Sequence, residues 1–178
     1  MEWLLNLDGA ILLWIQSLRV PALSAAMCFL TRLGDVGLIW IVISLLMLIP
    51  KRTRRAGMMG LLAMGVGLLI ANLTIKPLVA RPRPFVTLEG LTALIEEKDP
   101  ASFPSGHACA AFAACFAWWP DLAKRYRRIP LAGAAVMAFS RLYVGVHFPG
   151  DVLAGAIIGT LCALLVRGVD RKLRARGN

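Results

Sequence analysis

The sequence predicts an all-α fold: a polytopic membrane helical bundle of about five to six transmembrane helices, with interfacial helices at its N-terminus. Three observations predict it. The chain is 58% hydrophobic, with a mean hydropathy of +0.70, more apolar than a soluble globule needs to be. Its apolar residues fall in long successive runs, as membrane spans require. Thirteen of its 20 Lys and Arg residues lie in three short loops or tails between those runs, the distribution of a chain oriented by positive cytoplasmic loops. At 178 residues the chain supports one domain.

The elements follow in order. Residues 4–19 are apolar but contain Asp8, Gln16 and Arg19, and Pro21 follows; residues 22–33 are a second short stretch ending at Gly34-Asp35. Neither is a clean span of about 20 apolar residues. The first 35 residues are therefore expected to form interfacial or partly inserted helices, with Trp3 and Trp14 as anchors. The transmembrane core is expected over residues 36–168. The run 36–50 is short, so its helix borrows residues from before Gly34; Lys51, Arg52, Arg54 and Arg55 follow it. Residues 57–80 form the next span, and 81–103 a polar loop. Residues 105–120 return to Lys124, Arg125, Arg127 and Arg128. Residues 130–147 go out, and 149–168 come back to a basic tail over 169–178. Five spans is the preferred count; six, with residues 4–19 crossing, is the alternative.

A net charge of +10 could suggest nucleic acid, but basic residues confined to loops between spans do not form a nucleic-acid face. Cys28, Cys109, Cys115 and Cys162 all lie in apolar stretches without ligand-like neighbours and read as small buried hydrophobes. The N-terminus lacks a basic region and a small-residue cleavage site, so it is expected to belong to the mature protein. No internal repeat is evident.

Three polar islands interrupt this apolar chain: Lys76 to Pro84, Pro104 to His107, and Ser140 to Asp151. Ionisable residues in or beside spans are costly and usually mark function. The islands alternate with the three basic clusters, so if the clusters are cytoplasmic, all three islands share the extracytoplasmic side. Their residue types suit phosphoryl transfer, whose charge is stabilised by cations, backbone N–H groups and helix N-termini. Lys76, Arg83 and Arg141 supply the cations. Ser105 and Gly106, after Pro104, read as a helix start whose N–H groups, with that of His107, form an anion nest. Asp151 lies four residues after His147, across Pro149. That spacing lets its carboxylate accept a hydrogen bond from one imidazole nitrogen and leave the other nucleophilic. His147 is then the nucleophile, forming a phosphohistidine. His107 is the general acid for the leaving oxygen and later the base for water. The expected reaction uses no metal and no cofactor.

These residues resemble the signature of the type 2 phosphatidic acid phosphatase superfamily. That signature is Lys-six residues-Arg-Pro, then Pro-Ser-Gly-His, then Ser-Arg-five residues-His-three residues-Asp. All eleven specified positions are filled here, from Lys76 to Asp151, and the span pattern extends the resemblance to about 36–168. The resemblance implies an α-helical membrane fold without sheet and hydrolysis of lipid phosphates at the extracytoplasmic face. It also implies the roles given above for His147, His107 and Asp151, with Lys76, Arg83, Ser105, Gly106 and Arg141 binding phosphate. Family substrates include phosphatidic acid, phosphatidylglycerol phosphate, isoprenyl diphosphates and lipid A; the small size favours an undecaprenyl diphosphate-type lipid in a bacterial plasma membrane.

Other residues carry plainer expectations. Arg81, two residues before Arg83, stays outside the core site. Asp35 reads as a solvated turn residue, with pairing to a site cation as its alternative. Trp118, Trp119 and Tyr126 read as an interfacial belt. Glu96, Glu97, Lys98 and Asp99 read as a solvated loop, with gating or headgroup selection as its alternative role. The partners expected are the bilayer and a lipid phosphate; oligomeric state is left open. A lipid phosphotransferase and a non-catalytic lipid-binding or transport protein are the competing functions.

Overall fold

The computed structural model describes residues 2–177, with side chains from Leu7 to Arg176; the Trp3 anchor expected above lies outside the described side chains. Seven helices organise the chain: α1 (Glu2–Ser17), α2 (Pro21–Leu33), α3 (Leu38–Met47), α4 (Arg54–Val79), α5 (Gly106–Trp118), α6 (Arg128–Tyr143) and α7 (Pro149–Gly177). Shorter turns fill the connections. Among the described residues there is no strand, only an isolated bridge between Pro82 and Ala101.

The centre is α5, packed most extensively on α7 and α4. Its alanines make this possible: Ala108, Ala111, Ala113, Ala114 and Ala117 are fully buried, and small side chains let backbones approach closely. On α7, a Cβ at Gly155 or Gly159 would collide with backbone atoms of Ser105, Cys109 and Ala113. This small-residue pair, one helical turn apart, seats α7 directly on α5.

Two helices, α4 and α7, are long and apolar enough to cross a membrane unaided. A third candidate is the pair α2–α3, bent by 52° where they meet, a broken span or a re-entrant loop. The bend is made by Val36 and Gly37, both with positive φ. Helices α5 and α6, of 13 and 16 residues, fall short of about 20 residues; α5 is shielded by its neighbours.

Chain direction alternates, so the end of α4, the start of α5, the end of α6 and the start of α7 meet at one end of the bundle. At the opposite end the basic clusters are partly neutralised. Arg55 pairs with Asp170 at 2.5 Å and Asp121 at 3.5 Å, and buried Arg167 pairs with Asp121 at 2.6 Å. Trp118 is not part of an interfacial belt: it is 3% exposed and packs on Trp40, with ring centroids 5.9 Å apart. The Ala-rich α5 leaves room for that indole beside Gly60. Tyr126 and Trp14 are exposed. Cys109, Cys115 and Cys162 are buried, Cys28 is half-buried, and all four are free.

Candidate active site

Each motif side chain is set by a local device. Pro77 in the last turn of α4 has no N–H for the helical ladder, and the turn before it is widened into a π segment, Leu68–Ile75. Such bulges recur at functional sites; this one precedes Lys76. Ala80, with φ of 44°, ends the helix. In Arg81-Pro82-Arg83-Pro84 each proline holds the preceding arginine extended, and Ser102 fixes the strip by donating its N–H to the Arg81 carbonyl at 2.8 Å. Ser105 caps α5, its hydroxyl accepting from the Ala108 N–H at 3.4 Å. A Schellman motif closes α6: Gly145 at φ 81° donates to the Leu142 carbonyl at 3.0 Å, and Val146 to that of Arg141 at 3.3 Å. The chain then turns to present His147. Asp151 reaches back from the first turn of α7 to the Phe148 N–H at 2.9 Å, the acidic half of a capping box.

These devices bring Lys76, Arg83, Gly106, His107, Arg141 and His147 around one cavity of about 440 Å³. Arg83, Arg141 and His147 are almost wholly buried. His147 Nε2 lies 3.4 Å from Arg83 Nη1. A guanidinium only donates, so this contact suits the tautomer that leaves Nε2 unprotonated. His107 Nε2 faces two acceptors, the Thr31 carbonyl at 3.2 Å and Asp35 Oδ1 at 3.1 Å. It also lies 3.5 Å from Arg141 Nη1.

Four expectations change. His147 Nδ1 faces Asp151 Oδ2 at 3.6 Å, too far for a hydrogen bond. The carboxylate is already engaged by the Phe148 N–H and by Arg81 Nη1 at 2.8 Å, and His147 Nδ1 has no hydrogen-bond partner among the described residues. Apo catalytic contacts are often long and tighten with substrate. The anion nest loses one member, because the Ser105 N–H donates to the Asp151 carbonyl at 3.0 Å; the Ser105 side chain is fully buried as a cap. Gly106 leaves no room for a Cβ, which would meet the Asn72 amide at 2.9 Å. Asp35 is not a free turn residue but the partner of His107. The acidic loop is not simply solvated. Glu97 pairs with Arg141 and lies 3.6 Å from Arg83, and Asp99 pairs with Lys76 at 2.7 Å. Burial works to raise the Asp99 carboxyl, but Lys76, the Ala101 N–H and Arg83 together hold it below its ordinary value.

Sequence reasoning also missed a second tier. Arg81 stacks on the Phe148 ring at 3.9 Å and joins Asp151 to Asp8 of α1, which it meets at 3.1 Å. Asp8 in turn accepts from the Gly150 N–H at 3.2 Å. The signal available was an arginine in register with Arg83 along an extended strip; its acidic partners are remote in sequence. Among the described residues, no group of three or more His, Cys, Asp or Glu is placed to hold a metal ion.

Comparison with known proteins identifies the family. The chain is 29% identical over 147 residues to an undecaprenyl-diphosphatase of Sulfolobus acidocaldarius, covering 83% of this chain and 70% of that protein. It is 31% identical to a decaprenylphosphoryl-5-phosphoribose phosphatase of Mycobacterium tuberculosis, covering 91% and 90%. The fold matches the crystal structure of a transmembrane phosphatidylglycerolphosphate phosphatase from Bacillus subtilis. There the TM-score is 0.77 at 30% identity, over 97% of this chain and 88% of the other. The family model of the PAP2 superfamily matches residues 57–174, which hold all three islands. By motif, fold and sequence, this chain is a membrane protein of the PAP2 superfamily.

Proposed function

We propose that the chain is an integral-membrane lipid phosphate phosphatase acting through a phosphohistidine on His147. The observation that carries this reading is the convergence of two histidines on one cavity with three cations. His147 Nε2 attacks phosphorus; as the bond to the leaving oxygen breaks, His107 supplies that oxygen with the proton on its Nε2. Water then attacks the phosphohistidine with His107 as base, releasing orthophosphate and regenerating His147. Lys76, Arg83 and Arg141 neutralise the equatorial oxygens, aided by the N-terminal N–H groups of α5 at Gly106 and His107. Ser105 shapes that helix start, and Asp151 orients His147. No step calls on a metal or cofactor.

The substrate we infer is a polyprenyl diphosphate of the undecaprenyl type. Relatives named for polyprenyl lipids support it, and the cavity continues from the cations onto Ile41, Leu61, Met64 and Leu68, an apolar wall suited to a lipid tail. The alternation of basic clusters with the motif islands supports a motif-bearing end outside the plasma membrane, and the topology we propose has five crossings: α2–α3, α4, α5, α6 and α7. The test is phosphate release by detergent-purified protein in the presence of a chelator. The panel is undecaprenyl diphosphate, phosphatidylglycerol phosphate, phosphatidic acid and a lipid A analogue. His147-dependent release, fastest with undecaprenyl diphosphate, is the expected result. A strict Mg²⁺ requirement contradicts the scheme, and a preference for another lipid overturns the substrate assignment.

A further inference from the structure

The three cations assigned to phosphate are already engaged by carboxylates from a single loop. Asp99 is built in. Its side chain pairs with Lys76 and accepts from the Ala101 N–H at 3.0 Å, and its carbonyl accepts from Arg83 Nε at 2.6 Å. Glu97 is held differently. One of its oxygens, Oε2, pairs with Arg141 and lies 3.6 Å from Arg83. Its stretch of backbone, residues 95–98, makes no backbone hydrogen bond among the described residues, whereas Leu94 is tied to the Val144 carbonyl at 2.9 Å. The Glu97 side chain is thus inserted between two buried guanidiniums from a length of chain that no backbone hydrogen bond among the described residues holds in place.

Glu97 is also an incomplete occupant. It brings one charge and two oxygens to a site of three cations, and Arg141 Nε remains buried without a hydrogen-bond partner among the described residues. A buried donor left unpaired is costly. A phosphate, with more oxygens and more charge, fills the site better, but only by expelling a carboxylate that otherwise has favourable partners. That cost is the same for every phosphate. A lipid phosphate has a second source of binding in the apolar wall of the cavity to offset it; orthophosphate has none.

Resting on the phosphatase reading above, we propose that Glu97 is an internal competitor for the phosphate site: it is displaced by lipid-anchored phosphate and returns to expel orthophosphate. Apparent affinity for any ligand falls by the fraction of time the site is open, so Glu97 sets which phosphates are retained. The residue determines selectivity for lipid over free phosphate and speeds release of the product.

The experiment is calorimetric titration of the full-length protein in detergent with inorganic phosphate at fixed ionic strength. Glu97→Gln is expected to bind phosphate about tenfold more tightly than the parent, as a site open about a tenth of the time requires. Glu97→Asp, whose carboxylate reaches less far, is expected to fall between, and provides a second variant should the amide disturb folding. Glu96→Gln removes the same charge from the same loop at an exposed position without an ion pair and is expected to leave affinity unchanged. Unchanged or weaker binding by both Glu97 variants overturns the proposal, and so does an equal gain from Glu96→Gln. Arg141→Gln separates this inference from the reading beneath it. If Arg141→Gln abolishes phosphate binding while the Glu97 variants change nothing, only the competitor role fails. If phosphate binding survives Arg141→Gln, or neither the parent nor Glu97→Gln binds phosphate, the site assignment fails with it.

Discussion

Arg81 shows how much of the site's geometry rests on side chains outside the three motifs. Its guanidinium ties Asp151 to Asp8 and lies flat on Phe148, so it fixes the carboxylate that faces His147. Arg81→Gln is expected to lower kcat by about 100-fold, the scale of a misplaced reacting group, with little change in KM. Arg81→Lys should recover only part of this, because an ammonium cannot reproduce the fork or the stacking. Steady-state kinetics decide, and an equal effect on KM would point to substrate binding instead. Asp99 offers a pH test. A carboxyl held below its ordinary value stabilises the fold above that value and loses its contribution as pH falls through the lowered one. Asp99→Asn should therefore melt below the parent at pH 7, and the gap should close as the pH drops under 3.8. A gap constant with pH would mean that the Lys76 pair contributes nothing. These acidic partners were not legible in the sequence. His147, His107 and the three cations are marked by chemistry that apolar spans otherwise exclude. Asp8, Asp35, Glu97 and Asp99 stand in segments where a solvated carboxylate is unremarkable, and only the fold shows what they meet.

At the scale of elements, the joint between α5 and α7 carries the site. His107 begins one of these helices and Asp151 the other, and their backbones touch because Gly155 and Gly159 leave no side chain between them. Gly159→Leu must push α7 away from Cys109 and Ala113. Overpacking of this kind costs about 1–3 kcal/mol, and thermal unfolding in detergent should show a lower Tm together with lost activity. An unchanged Tm would show that the helices can separate without penalty. Long apolar helices such as α4 and α7 were legible from hydropathy alone. Helix α5 was harder, since a short Ala-rich segment enclosed by protein does not need the length of a lipid-facing span. The burial of Trp118 was hidden for a similar reason: beside a basic loop a tryptophan suggests the membrane interface, and only packing against Trp40 reveals a core residue.

For the molecule as a whole, the alternation of basic clusters and motif islands predicts a single sidedness. A reporter cysteine at Lys124 and one at Glu89, in an otherwise cysteine-free chain, should label from opposite faces of sealed vesicles, with Glu89 extracytoplasmic. Labelling of both from one face would contradict the five-crossing topology. The central claim is narrower: His147 becomes phosphorylated during turnover. Its most direct test is to quench the enzyme while it hydrolyses undecaprenyl diphosphate carrying a radioactive terminal phosphate and to locate the label on the protein. The account predicts an acid-labile, alkali-stable phosphohistidine at position 147, absent from His147→Ala, whose phosphate release should fall about a thousandfold or more. Label on another residue, or undiminished phosphate release by His147→Ala, would contradict it.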